Sequence, residues 1–443
     1  MRSLILAYLA LLTVSCHSDQ DSKNPVDLNR PINYQNQELN LSNAAPGSLV
    51  STEFLFTFNQ ETINAKLGQV LPEKAQFPVD AYRMFFTTKD LLGNGRVASS
   101  VVFLPRNGQA TLPLVALQHG TLTANREAPS SNPREGLFEA ASGFAVLVPD
   151  YLGFGASKDA LHPYLIAEAY VQNGVDSLRA FRSFASRESL KVPGFFLKGY
   201  SEGGYAVVAM QKAIESREEL QNEFLLGDDF KLLASAPGAG PYLLAATAKT
   251  LLSRDSINAA YITQVVAAYK TWYPESKILY EDIFLDSGFP GKGDADLGSY
   301  IEGDLLGGSK SVTDIIASLT EVRAELMQES IIETFENLEL TATQAYANEE
   351  IDTTGFAALL EANDLVQDWA PKVPTKLYHC AGDELIPAAI TVGTQQIIKA
   401  QQPDAPLDIV VVPDTETAKY SHSACPAYYL PVAWFGELLS QAQ

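Results

Sequence analysis

One short segment restricts the possible folds of this chain more than any other. Gly199-Tyr200-Ser201-Glu202-Gly203 stands between an apolar run and a stretch with helical character. A serine on so sharp a turn needs backbone torsions that crowd its neighbours, and the glycines two positions before and after it relieve that crowding. The pattern predicts a strand, a tight turn and a helix, with the Ser201 hydroxyl projecting above the positive end of the helix.

The remaining apolar runs predict a sheet around this turn. Runs that are apolar without alternation are typical of strands buried on both faces, as in parallel sheets. Strands separated by helices at this spacing indicate a mostly parallel central sheet with flanking helices, which places ligands at the carboxyl ends of the strands. The predicted strands cover residues 79–89, 96–105, 112–118, 144–149, 195–198, 375–379 and 407–412, and the predicted helices cover residues 165–186 and 203–219.

A helical block interrupts the sheet pattern after residue 239. Its predicted helices cover residues 257–273, 312–328 and 331–347. We interpret residues 240–363 as an inserted helical cap, between a first core part at 47–239 and a second at 364–443. Apolar positions of the cap could line an acyl tunnel or simply form its core; they include Leu251, Ile262, Val265 and Val266.

The amino terminus predicts export. Arg2 precedes an apolar run that is short for a membrane span, which is typical of a signal peptide over residues 1–15. The run ends in Thr13-Val14-Ser15-Cys16, which resembles a bacterial lipoprotein cleavage box with Cys16 as the lipidated residue. Residues 16–46 have the composition of a flexible tether. We expect a lipid anchor in a bacterial membrane, at the outer membrane or cell surface; a plain signal peptide would make the protein periplasmic or secreted.

The charge limits the partners. Lys plus Arg total 31 against 53 Asp plus Glu, for a formal net charge of -22. Such a surface repels nucleic-acid phosphates and anionic lipid headgroups, so we expect no nucleic acid and no membrane attachment beyond the N-terminal lipid. The sequence contains no zinc-binding H-E-x-x-H, phosphate loop or dinucleotide fingerprint, which predicts no cofactor and no metal.

A nucleophilic serine needs a base, and the base needs an orienting acid. The turn around Ser201 resembles the nucleophile elbow of α/β-hydrolases, in which the acid and then the histidine follow the serine in the chain. Only His379 and His422 follow Ser201. His422 stands in a polar loop after the last predicted strand and is the predicted base, whereas His379 lies at a strand end and is interpreted as structural.

Asp383 is the predicted acid. The surrounding stretch resembles the strand-to-loop segment that presents the acid in α/β-hydrolases, with Asp383 after a predicted strand and before the aliphatic-proline pair Ile386-Pro387. Glu384 and Asp150 are the alternatives, at positions that fit this role less well.

Stabilisation of a developing oxyanion requires two backbone N–H donors. Glu202, at the start of the helix after the nucleophile, supplies the first. The loop after residues 112–118 supplies the second, for which we predict Thr121, with Gly120 allowing close approach of the backbone to the substrate. His119, in the same loop, is interpreted as a structural hydrogen-bonding residue.

Five segments together carry a family resemblance: Gln118-His119-Gly120-Thr121, Pro149-Asp150-Tyr151-Leu152-Gly153-Phe154-Gly155, His162-Pro163-Tyr164-Leu165, the serine turn and the Asp383 loop. With them the chain resembles a secreted α/β-hydrolase of the secretory lipase group, the lipases like Candida antarctica lipase A and their bacterial relatives. The resemblance covers most of residues 54–435 and implies hydrolysis of carboxylic esters under a helical cap. Glu202 departs from the Gln or Gly often found there, and its carboxylate would oppose negative charge in the oxyanion hole.

Three other activities stay open at this point. Acetyl or feruloyl esters of carbohydrates are alternatives to small-molecule or lipid esters. A serine peptidase would use the same three side chains, and a catalytically silent surface protein would bind glycans or a partner through the cap.

The two cysteines beyond Cys16 flank the predicted site. Cys380 is three residues before Asp383, and Cys425 is three residues after His422. They could form a disulfide that ties the acid loop to the histidine loop, or remain two buried thiols.

Overall fold

The computed structural model describes residues 44–67, 74–227, 229–338, 355–415 and 419–441. The predicted signal peptide, the predicted lipidation site Cys16 and the predicted tether up to residue 43 lie outside the described residues.

A nine-stranded sheet forms the centre of the molecule, in the order β1-β2-β3-β5-β4-β6-β7-β8-β9. The pairs β1–β2, β2–β3 and β3–β5 are antiparallel, and the pairs from β5 through β4 to β9 are parallel. The predicted mostly parallel sheet is therefore confirmed. The strands are β1 Leu49–Phe58, β2 Val79–Lys89, β3 Gly95–Pro105, β4 Leu114–Gln118, β5 Ala145–Pro149, β6 Gly194–Tyr200, β7 Lys231–Gly238, β8 Thr375–Cys380 and β9 Leu407–Val412.

Helices flank the sheet and fill the connection between β7 and β8. None of the described helices is long and apolar enough to cross a membrane. They are α1 Gln60–Leu67, α2 Leu137–Ala141, α3 Ala167–Arg187, α4 Glu202–Ser216, α5 Glu218–Phe224, α6 Leu244–Leu252, α7 Ala259–Trp272, α8 Tyr280–Ile283, α9 Leu297–Ser299, α10 Val312–Ile316, α11 Arg323–Leu326, α12 Glu329–Asn337, α13 Phe356–Ala362, α14 Ala388–Gln401 and α15 Val432–Gln441.

The central strands bury both of their faces, as their unbroken apolar sequences predict. All five residues of β4 and of β5 are buried. Because successive side chains of a strand point to opposite faces, Leu114 and Ala116 join one hydrophobic cluster with α3 and α4, whereas Val115 and Leu117 join a second with α2 and α15. The sheet is thus the middle of three layers.

Two strands and one helix differ from the sequence predictions. The predictions omit β1 and β7. The single helix predicted over residues 312–328 is wrong, because the chain forms α10 and α11 with a turn between them. In that turn the Thr320 hydroxyl oxygen accepts a hydrogen bond from the Val322 N–H at 3.3 Å, a local contact that competes with helical bonding.

Residues 239–374, the β7–β8 segment, leave and re-enter the sheet at neighbouring strands. Gly238, at the end of β7, pairs with Tyr378 of β8. The helices α6 to α13 all belong to this segment. The segment therefore begins at the carboxyl ends of the parallel strands, where Ser201 follows β6.

Candidate active site

Ser201 occupies the tight turn between β6 and α4. Its backbone angles are φ 60° and ψ -122°, a conformation that L-residues rarely adopt. A Cβ on Gly203 would lie 2.0 Å from the Gln118 carbonyl oxygen, and one on Gly199 would lie 2.3 Å from that of Gly203. Glycine is therefore required at both positions for the turn to pack against β4.

The structure brings Ser201, His422 and Asp383 together. His422 Nε2 lies 2.8 Å from Ser201 Oγ, and His422 Nδ1 lies 2.7 Å from Asp383 Oδ2. Because an ionised carboxylate only accepts, Nδ1 donates to Asp383 and leaves the lone pair of Nε2 facing the serine hydroxyl. This is the geometry in which an imidazole can remove the serine proton.

Asp383 is buried in the loop after β8. Its Oδ1 accepts hydrogen bonds from the N–H groups of Leu385 at 3.0 Å and Ile386 at 2.8 Å. Burial acts to raise the pKa of this carboxyl, but hydrogen bonds from His379 and His422 outweigh burial and hold the pKa well below its ordinary value. Asp383 is accordingly a fixed negative charge behind the imidazole.

His379, predicted as structural, lies against the acid from the other side. Its Nε2 is 2.8 Å from the Ile386 carbonyl oxygen and 3.3 Å from Asp383 Oδ2, and its Nδ1 is 2.6 Å from Thr391 Oγ1. Nε2 faces two acceptors and therefore carries the proton, while Nδ1 can accept from the threonine. A neutral His379 satisfies all of these contacts.

The histidine loop is attached to the rest of the site at three points. The Tyr200 hydroxyl donates to the His422 carbonyl oxygen at 2.9 Å, and the His422 N–H donates to Glu384 Oε2 at 3.0 Å. A disulfide joins Cys380 to Cys425. Glu384, one alternative acid, thus contacts the backbone of His422, whereas Asp383 contacts its ring.

Asp150, the other alternative acid, belongs to a separate buried network. Its carboxylate accepts from the Ser130 N–H at 2.7 Å and from the hydroxyls of Ser99 and Ser130 at 2.5 Å each. His119, interpreted from the sequence as structural, has Nε2 3.2 Å from the Asp150 carbonyl oxygen and Nδ1 2.7 Å from that of Gly120.

The predicted oxyanion-hole residues flank the nucleophile. Glu202 is the first residue of α4, and Thr121 Oγ1 lies 2.9 Å from the hydroxyl of Tyr164, which lines the same cavity as Ser201. A Cβ on Gly120 would lie 3.5 Å from the Tyr200 carbonyl oxygen, an ordinary contact. Packing by itself therefore does not require glycine at position 120.

A contact that the sequence reasoning missed involves the side chain of Glu202. His162 Nε2 and the Tyr170 hydroxyl each lie 2.9 Å from Glu202 Oε1. The only sequence signal was the segment His162-Pro163-Tyr164-Leu165, noted for its resemblance and given no role. Its His162 and Tyr164 contact Glu202 and Thr121, the two residues predicted to provide the oxyanion hole.

An apolar cavity opens beside Ser201. It encloses about 760 Å³, including its opening to solvent, between the sheet and the β7–β8 segment. Leu251, Ile262 and Val265 line it, whereas Val266 is fully buried in the hydrophobic core. Further apolar lining residues are Leu165, Pro241, Leu244, Ala248, Leu252, Met327, Phe356, Leu360, Leu385 and Ile386, and the lining residues with polar groups besides Ser201 are Tyr164, Glu202, Thr247 and Tyr261.

Within the described residues, no group of three His, Cys, Asp or Glu side chains is arranged to hold a metal ion.

Comparison with known proteins gives matches among solved structures only. No protein-family model and no curated protein matches the chain. The rice cell wall degrading esterase LipA from Xanthomonas oryzae is 23% identical, with a TM-score of 0.69 over 90% of this chain and 100% of that one. A candidate hydrolase from Legionella pneumophila is 22% identical, with a TM-score of 0.74 over 89% and 99%. Candida antarctica lipase A in its closed state is 16% identical, with a TM-score of 0.61 over 94% and 86%.

Proposed function

We propose that this chain, which has the α/β-hydrolase fold, is a hydrolase that cleaves carboxylic esters through a covalent acyl-enzyme on Ser201. The observation that carries the proposal is the hydrogen-bonded series from Ser201 through His422 to Asp383, at the mouth of an apolar cavity. Structural neighbours that are themselves an esterase and a lipase support the same reaction class.

In the first half-reaction, Ser201 Oγ attacks the ester carbonyl carbon as His422 Nε2 takes the hydroxyl proton. The negative charge formed on the carbonyl oxygen is stabilised by the N–H groups of Glu202 and Thr121. Collapse of the tetrahedral intermediate breaks the bond to the alcohol, which leaves with the proton from His422. Asp383 keeps the imidazole in the required tautomer and stabilises its cationic form.

The second half-reaction repeats these steps with water as the nucleophile. His422 takes a proton from water, and the hydroxide attacks the acyl carbon. The bond to Ser201 then breaks, and the proton returns from His422 to the serine oxygen. The products are a carboxylic acid and the free enzyme.

The cavity favours an apolar acyl group. Its walls are mostly aliphatic and aromatic side chains, which gain free energy from burying hydrocarbon and offer few partners to a hydroxylated chain. We therefore propose aliphatic esters as the main substrates. Esters of carbohydrates are the second candidate, because a structural neighbour is a rice cell wall degrading esterase.

We also propose that the protein is exported, as its N-terminal sequence predicts. The disulfide between Cys380 and Cys425 supports this location, since disulfides persist mainly in oxidising compartments outside the cytosol.

The deciding experiment measures hydrolysis of p-nitrophenyl esters from acetate to palmitate, of feruloyl and acetyl-xylan esters, and of peptide amides. We expect activity on esters with aliphatic acyl chains and its loss in Ser201→Ala. Ser440→Ala, at an exposed serine of α15, is the matched control. No ester hydrolysis by the wild type, or full activity of Ser201→Ala, would overturn the proposal. A marked preference for feruloyl or acetyl-xylan esters would favour the second candidate.

A further inference from the structure

Glu202 places a carboxyl group beside the reacting centre, in a residue whose own N–H is a proposed oxyanion donor. The side chain is buried, with Glu202 only 1% exposed. A lone carboxylate there would repel the negative charge that forms on the substrate oxygen, and low solvent exposure would strengthen the repulsion. The charge of its surroundings therefore matters for the reaction.

His162 faces acceptors with both of its ring nitrogens. Nδ1 lies 2.7 Å from the Leu152 carbonyl oxygen, and Nε2 lies 2.9 Å from Glu202 Oε1. A carbonyl oxygen can only accept, so Nδ1 carries a proton. A neutral imidazole has one N–H, so if Glu202 is ionised and can only accept, a second donor bond from Nε2 requires the imidazolium. The alternative is a neutral pair in which a protonated Glu202 donates to Nε2.

Tyr170 provides the second hydrogen bond to the same carboxylate oxygen. Its hydroxyl oxygen accepts from the Leu165 N–H at 3.0 Å, and its own proton points to Glu202 Oε1 at 2.9 Å. Burial, and then the nearby Glu202, raise the pKa of Tyr170 well above its ordinary value, so it remains an uncharged donor. Tyr170 therefore stabilises the carboxylate without adding charge.

No second cation is supplied by the other histidine near Glu202. His119 also faces a carbonyl oxygen with each ring nitrogen, but the Nε2 distance to the Asp150 oxygen is the longer one at 3.2 Å. Burial lowers the pKa of the His119 imidazole despite the opposing effect of Glu202. We therefore assign it one N–H, on Nδ1 toward Gly120 at 2.7 Å. Tyr151, Tyr164 and Tyr261 face the same region, and burial raises the pKa of each, so they are neutral phenols.

The fold holds His162 firmly in this position. Gly153 has φ 96°, and a Cβ there would lie 2.5 Å from the His162 Cα. The imidazole ring also packs against Phe154, with ring centroids 4.9 Å apart. The segment that carries His162 is therefore packed directly against the loop after β5.

We propose that His162 is a positioning residue, held as an imidazolium, that neutralises Glu202 and so keeps net negative charge away from the oxyanion hole. The inference rests on the proposed ester hydrolysis. It also removes the objection raised by the sequence, since the extra carboxylate is part of a pair with no net charge.

A double-mutant cycle tests this role through kcat. We expect His162→Gln to lower kcat on a p-nitrophenyl ester by about tenfold or more with KM little changed, because an unpaired carboxylate then opposes the transition state. In the background of Glu202→Gln, the same change should cost less than about threefold. Tyr170→Phe is the matched control: it removes an uncharged hydrogen bond to the same oxygen and leaves the charge of the His162–Glu202 pair unchanged, so it should lower kcat less than His162→Gln does in the wild-type background.

Histidine ¹⁵N NMR of the wild-type protein supplies a readout independent of turnover. The resonances missing from His162→Gln identify His162, and we expect both of its nitrogens to be protonated in the wild type under the conditions of the kinetic assay. A neutral His162, or equal losses of kcat in both backgrounds, would overturn the inference. Absence of ester hydrolysis by the wild type would instead reject the proposed function, and the NMR result would still decide the charge of His162.

Discussion

The Asp383 carboxylate accepts hydrogen bonds from two N–H groups of its own loop. It also contacts two histidines, His422 and His379. Only His422 of these two reaches Ser201. Neighbouring Glu384 contacts the His422 backbone. Two adjacent acidic residues thus have different tasks, one electrostatic and one conformational.

This difference predicts unequal effects of removing the two charges. We expect Asp383→Asn to lower kcat by about 10³- to 10⁴-fold, because an amide can donate to Nδ1 and stabilise the wrong imidazole tautomer. Glu384→Gln should lower kcat by less than about tenfold, since the amide oxygen can still accept the His422 N–H. Steady-state kinetics on one p-nitrophenyl ester measures both, and a larger effect of Glu384→Gln would reverse the assignment of the acid.

The lowered pKa of Asp383 also predicts how stability depends on pH. Below its ordinary value of 3.8 the unfolded chain binds a proton that the folded protein resists, so the contribution of Asp383 to stability falls as pH decreases toward its folded pKa. We expect the difference in free energy of unfolding between wild type and Asp383→Asn to shift against the wild type as the pH decreases below about 4. Urea titrations across this range provide the measurement, and a difference independent of pH would contradict it.

At the scale of elements, seven strands were predicted within two residues of their observed bounds. Their buried, unbroken apolar runs carry the signal. β7 was missed because it is rich in residues of low strand propensity. It forms a strand because it pairs with β6 on one side and β8 on the other. Its sequence is Lys231-Leu232-Leu233-Ala234-Ser235-Ala236-Pro237-Gly238. β1 was missed because it is an edge strand with partly exposed side chains, and its apolar run Phe54-Leu55-Phe56 is only three residues long.

In the active site, too, features with a local sequence pattern were predicted and features that depend on tertiary contacts were missed. Chain order narrowed the acid and base to a few residues, because in α/β-hydrolases the acid and then the histidine follow the serine. The contact between His162 and Glu202 joins residues 40 positions apart through the packing of two loops. No local pattern encodes such a pairing, so sequence reasoning could note the His-Pro-Tyr-Leu segment but could not assign its role.

The disulfide connects the element that carries the acid to the one that carries the base. Its cysteines are 45 residues apart, for which loop-closure entropy gives a stabilisation of about 4 kcal/mol. We expect Cys380→Ser combined with Cys425→Ser to lower the free energy of unfolding by up to this amount and to lower kcat, because His422 is then held less firmly. Urea unfolding and steady-state kinetics give the two values. Reduction of the disulfide in the wild type should also lower the free energy of unfolding and kcat. If kcat is unchanged in both the double variant and the reduced wild type, the remaining contacts are sufficient to position His422 without the disulfide.

For the molecule as a whole, the sheet supplies the reacting groups and the β7–β8 segment supplies much of the cavity wall. Substitutions in that segment should therefore change which acyl chain lengths the protein accepts, without removing the groups that carry out the reaction. We expect Leu251→Trp to lower kcat/KM for a C12 ester by about tenfold or more, and for a C4 ester by less than about twofold, since only the longer chain needs the blocked space. Leu92→Trp, at an exposed turn position, is the control. Equal losses for both esters would mean that the acyl chain lies elsewhere.

The pairing of Gly238 with Tyr378 has a consequence for how such a protein diversifies. Because the two ends of the β7–β8 segment enter adjacent strands, a segment of another length or sequence can replace it without changing the spacing of the sheet. The reacting side chains of Ser201, Asp383 and His422 all lie outside it. Much of the cavity wall and all three reacting side chains are thus encoded in separate stretches of one gene, and exchange of the stretch for residues 239–374 would change the former while keeping the latter.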